Sequence, residues 1–138
     1  MTRAHVIMAS CSTVFFAVIL LLSASEVPAA SGGEVRLSAR MVSGVASGKA
    51  DYRERGSRRR LNVEAEDLPA TTPSPQAVFV NGAQVGTMTL AACPVPAQQL
   101  LCGEMELNTQ DGQVVPTVLS GQIVSIGQNP AVLAGTFR

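Results

Sequence analysis

Residues 47–68, SGKADYRERGSRRRLNVEAEDL, leave this chain few ways to fold. Gly56-Ser57 has the composition of a two-residue type II′ turn, with glycine at the first central position. Counting outward from it pairs Arg55 with Arg58, Glu54 with Arg59, Arg53 with Arg60, Tyr52 with Leu61, Ala50 with Val63 and Lys49 with Glu64. Side chains alternate across a strand. Ala50, Tyr52, Leu61, Val63 and Ala65 therefore share one face, and Lys49, Asp51, Arg53, Arg55, Arg58, Arg60, Asn62, Glu64 and Glu66 share the other. A slip by one residue would bury arginines and expose the apolar set. The stretch predicts an antiparallel hairpin with a dry face and a charged, wet face.

Alternation continues elsewhere. In Glu34–Met41 it places Val35, Leu37, Ala39 and Met41 on one side and Arg36, Ser38 and Arg40 on the other, as in a half-buried strand. Residues 43–48 read as the break before the hairpin. Residues 69–75, rich in proline, threonine and serine, read as a loop whose composition would also suit O-glycosylation. Asn81-Gly82 between apolar runs is the strongest short hairpin cue, with its second strand reaching about Leu90. Glu104–Asn108 is another strand, ended by Gln110-Asp111-Gly112. Pro116 demotes 114–116 to an edge or a loop entry. Ile123–Ile126 and Ala131–Phe137 complete the set, with Gly135 as a bulge or close contact. No helical period persists after the N-terminal region. About seven to eight short strands predict an all-β antiparallel sandwich or small barrel.

The N-terminal segment differs. Arg3 and His5 form a short basic lead, and Val14–Leu22 is an unbroken apolar run bounded by small residues. This is the pattern of a signal peptide spanning 1–29, cleaved after Ala29 or after Ser25. The run falls short of the roughly 20 residues of a membrane span. Extended back to Val6, it leaves an uncleaved anchor as the alternative. The expected organisation is a signal segment, 1–29, and one β-domain, 34–138. The expected destination is outside the cytoplasm: periplasm, cell surface or extracellular space.

Composition excludes several chemistries. His5 is the only histidine and leaves with the signal segment. The remaining chain lacks the commonest general base and metal ligand, so no Ser-His-Asp, Cys-His or histidine-zinc site is expected. No cofactor and no metal are expected. Ten basic residues balance ten acidic ones, so no global field points to nucleic acid. Membrane contact is expected only through the N-terminal segment, if retained. Cys93 and Cys102 are the even pair left after Cys11, and a disulfide is the first reading in an oxidising compartment. Two separate thiols are the alternative.

The runs VNGAQVGTMT, GEMELNTQDGQVVPTVLSGQIVSI and LAGTF together resemble a pattern of small exported bacterial β-domains whose function is uncharacterised. The resemblance covers most of the chain after the apolar run. It implies the all-β fold and no activity or site residue. Beside it, Cys93–Cys102 reads as an insertion into a shorter connection.

Three constellations could carry function. Arg53, Arg55, Arg58 and Arg60, with Arg59 beside them, form the densest charge cluster. It is either a candidate face for an anionic polymer or acidic protein surface, or a solvated edge that blocks aggregation. Glu104 and Glu106 lie about 7 Å apart on one strand face and could act as a carboxylate pair in hydrolysis, or simply as a wet surface. Asp51, Glu64, Glu66 and Asp67 match no calcium-loop spacing. Residues 94–101 could present an inhibitory disulfide loop. The expected function is a non-catalytic, exported binding or structural domain at the cell envelope or outside the cell. The carboxylate hydrolase and the loop inhibitor are the alternatives.

Overall fold

A computed structural model describes residues 32–138 apart from Gln98 and Asn129. The signal segment expected over 1–29 lies outside the described residues. Among the described residues nine strands form, β1 (Val35–Ser43), β2 (Ala46–Arg55), β3 (Arg58–Leu68), β4 (Gln76–Val80), β5 (Ala83–Met88), β6 (Leu90–Ala92), β7 (Leu101–Asn108), β8 (Ile123–Ile126) and β9 (Leu133–Thr136). They make two antiparallel sheets, of order β1-β2-β3-β7-β6 and β5-β4-β8-β9. A 3₁₀ turn, Thr109–Asp111, is capped by the Asn108 side chain.

The central hairpin has the register counted from its turn. Arg55 faces Arg58, Arg53 faces Arg60, Tyr52 faces Leu61 and Ala50 faces Val63. Gly56 has φ 60° while Ser57 does not take positive φ, as a type II′ turn requires. Ala50, Tyr52, Leu61, Val63 and Ala65 are all buried. At the second hairpin, Asn81 and Gly82 have φ 49° and 81°, the two left-handed residues of a type I′ turn.

Four expectations change. Residues 43–48 do not all break the chain: Gly44-Val45 alone turns, and Ser43 already pairs with Ala46. Gly48 is a strand residue at a close approach, since a Cβ there would sit 2.7 Å from the Glu64 carbonyl oxygen. The strand expected to run to Leu90 divides at Thr89, with β5 in one sheet and β6 in the other. Met88 and Leu90 both point into the core, so the alternation persists through the corner and conceals it. Leu101 and Cys102 belong to β7, paired with Ala92 and Ala91, which shortens the disulfide loop. The last strand is Leu133–Thr136 rather than Ala131–Phe137, although its backbone bonding continues beyond Thr136.

That continuation joins the sheets. Phe137 N–H donates to the Gln122 carbonyl, and Ser38 and Arg138 exchange both backbone hydrogen bonds at 3.0 and 2.9 Å. β9 therefore lies against β1, the edge of the other sheet. A Cβ on Gly135 would fall 2.5 Å from the Arg40 carbonyl oxygen, so only glycine fits there. One apolar cluster draws on both sheets, with Met41, Tyr52, Leu61 and Met105 from the first and Val78, Val124, Ile126 and Leu133 from the second. Val115 and Val118, from the irregular stretch carrying Pro116, are buried in it as well.

Candidate anion-binding face

Strand pairing converts the linear arginine cluster into a two-dimensional array. Arg36 on β1 faces Arg53 on β2, Arg53 faces Arg60 on β3, and Arg60 faces Asn108 on β7. Arg55 and Arg58 form the next pair, beside the turn. Adjacent strands stand about 4.8 Å apart, so these cations repel one another. All five arginines are exposed. At the turn end of the hairpin, Arg53, Glu54, Arg55, Arg58, Arg59, Arg60, Asn108 and Gln110 line a shallow hollow of about 150 Å³.

Carboxylates reach only part of this array. Glu34 binds Arg36 at 2.8 Å, Glu54 lies 3.3 Å from Arg59 Nε, and Glu106 binds Arg60 at 2.9 Å. Among the described residues, no carboxylate oxygen lies within 4.0 Å of Arg53, Arg55 or Arg58. The field of the array is felt at its rim. The hydrogen bond from Arg36 holds the Glu34 carboxyl below the usual range, and the charges of Arg53 and Arg55 add to that. Lys49 does not bind Glu64, the residue it faces across the strands. It takes Asp51 on its own strand at 2.6 Å, because alternation puts both side chains on the same face.

Behind the hollow the chain is anchored to the core. The fully buried Tyr52 donates its hydroxyl to Glu54, whose carboxylate also meets Arg59. Burial first, and the Glu54 hydrogen bond second, push the Tyr52 phenol up to about 12, with a backbone hydrogen bond at Val118 working the other way. Arg59 N–H donates to Thr109 Oγ1 at 3.0 Å, tying β3 to the 3₁₀ turn that brings Gln110 to the hollow.

The other constellations separate. Glu104 and Glu106 share an exposed strand face, but Glu106 is held by Arg60 and Glu104 stands opposite Glu64. Glu104 lines a groove with Glu64, Glu66 and Pro94, away from Glu106. A roomier hollow, about 380 Å³, mixes Arg40 and Lys49 with Glu64 and Glu66, so charges of both signs line it. Among the described residues, no three Asp, Glu, Cys or His side chains gather as a metal would need. Cys93 and Cys102 are joined, Cα to Cα 4.9 Å. Their loop is further held by Cys93 N–H to the Leu100 carbonyl, and leaves Val95 76% exposed.

Asn108 and Gln110 in the hollow, and Arg36 in its row, were not legible as site residues. Each depends on which strand neighbours the hairpin. The only local trace was Glu104 and Glu106 alternating opposite in sign to the arginines. Comparison with models of known protein families finds no match, and no curated protein matches the chain.

Proposed function

We propose that this chain is an exported, non-catalytic binding domain, at the cell envelope or outside the cell, that holds an anionic polymer against the arginine end of its larger sheet. The observation behind this reading is the hollow in which none of Arg53, Arg55 and Arg58 has a carboxylate within 4.0 Å among the described residues, the Glu54 of the same lining being taken by Tyr52 and Arg59. A polyanion supplies what the chain withholds, and so removes the repulsion between facing cations. Charge segregation supports the same reading. Residues 69–103 and 112–137 contain no charged side chain, so β4, β5, β8 and β9 are uncharged and every strand charge lies in the other sheet. The finer architecture is read as a small sandwich. Export rests on the apolar run Val14–Leu22 and the small residues after it. Sequencing of the secreted product should find a start between Glu26 and Ser31.

The loop inhibitor is kept as a second reading because Val95 projects from a segment pinned by a disulfide. The carboxylate hydrolase draws less support, since Glu104 and Glu106 do not border one hollow. An NMR titration with dextran sulfate tests the first reading. Shifts concentrated at 53–60, 108 and 110 are expected. Shifts confined to the Val95 loop, or none, would reject it, and an acidic protein surface would be the partner if only a polyglutamate probe moved the same signals.

A further inference from the structure

We infer that the arginine hollow selects tetrahedral oxyanions, sulfate or phosphate esters carried on a polymer, over planar carboxylates; this rests on reading the face as a polyanion site. The cations of the hollow are all guanidinium groups, and Lys49, the only lysine of the chain, lies outside it. A guanidinium presents a planar fork of N–H donors that grips two oxygens of one anion. Here the forks come from both sides of a tight turn, Arg53 and Arg55 from β2 and Arg58 from β3. Asn108, which ends β7, and Gln110, in the 3₁₀ turn, complete the lining from a third segment.

Donors converging from three segments suit an anion whose oxygens project in several directions. A carboxylate offers two oxygens in one plane, which a single arginine satisfies. The chain's own carboxylates each meet one arginine, Glu34 at Arg36, Glu54 at Arg59 and Glu106 at Arg60, and Glu54 also accepts from Tyr52. None of them reaches the centre of the array. A hollow of about 150 Å³ has room for one ester group rather than a length of chain. The polymer then continues over the exposed row Arg36, Arg53, Arg60, crossing strands about 4.8 Å apart.

The test is a set of titrations of the exported protein at about 50 mM salt with dextran sulfate, polyphosphate and polyglutamate, compared per unit charge. Both tetrahedral polymers should bind at least about tenfold more tightly than polyglutamate. The R55K/R58K variant keeps the charge and loses two of the three forks, those on either side of the turn, so this ratio should fall toward one while polyglutamate binding stays the same. Equal affinity for all three polymers in the native protein would overturn the selectivity and leave the polyanion reading standing. A preference unaltered in R55K/R58K would overturn the role assigned to the guanidinium forks. No binding of any polymer would overturn both.

Discussion

Arg53 and Arg60 face each other directly across β2 and β3, and of the two only Arg60 has a carboxylate, Glu106 at 2.9 Å. Like charges directly opposed in a sheet are destabilising by a few tenths of a kcal/mol. Arg36 on the far side of Arg53 adds to the repulsion. The Arg53→Ser variant should therefore unfold at the same temperature as the native chain or about 1–3 °C higher, read by calorimetry. A clear loss of stability would mean that the Arg53 stem packs on the sheet in a way the charges do not reveal.

Gly135 offers a contrasting test at the junction of the sheets. With the Arg40 carbonyl 2.5 Å from where a Cβ would stand, Gly135→Ala must push β9 off β1. A loss of about 1–3 kcal/mol is expected, in the range for forced overpacking. Urea denaturation measures it. Gly33→Ala is the control, because nothing lies within 4 Å of a Cβ there, and it should be close to neutral.

These two sites show how far the sequence could be read. The Arg53–Arg60 pairing followed from Gly56-Ser57 and period-two alternation, both local signals. The sequence pattern marks Gly135 as a bulge or close contact, but the Arg40 carbonyl that demands glycine comes from β1, distant in the chain. The same limit hid the corner at Thr89, where alternation passes unbroken from one sheet to the other. It also hid Asn108 and Gln110, which join the hollow only through the β3–β7 pairing. At Lys49 the counted register holds, yet the ion pair forms with Asp51, a same-face neighbour two residues along, rather than with the residue directly opposite.

Tyr52 is the only tyrosine, so its ionisation can be followed by ultraviolet absorbance without interference. The native midpoint should lie near pH 12, against about 10 in denaturant. With the folded value raised, the unfolded chain loses this proton first. The stability linked to it is complete below about pH 10 and declines as pH rises toward 12. Tyr52→Phe should flatten that part of the alkaline profile. Lys49, also raised by its hydrogen bond to Asp51, remains titratable in both proteins and cancels in the comparison. Equal profiles would indicate that the hydroxyl is not buried against Glu54.

The Cys93–Cys102 bond closes a loop of about ten residues, for which the chain-entropy model gives roughly 2–3 kcal/mol. Cys93→Ser combined with Cys102→Ser should lose about that much in urea, with the arginine face unaffected because it lies on other strand ends. Thiol labelling of the native chain should detect no reaction at either position. Two reactive thiols would remove the bond from the account.

Salt dependence is the sharpest probe of Arg53, Arg55 and Arg58 as an anion site. Exposed charges are screened over about 10 Å at 0.1 M. If three guanidiniums engage the polymer, affinity for dextran sulfate should fall on the order of 40-fold between about 50 and 200 mM salt, by analogy with counterion release from nucleic acids. The triple variant R53S/R55S/R58S should lose most of the binding at the lower salt while its unfolding midpoint stays level or rises. Binding that ignores salt, or that the triple variant retains in full, would contradict the account and leave the cluster as a solubilising edge.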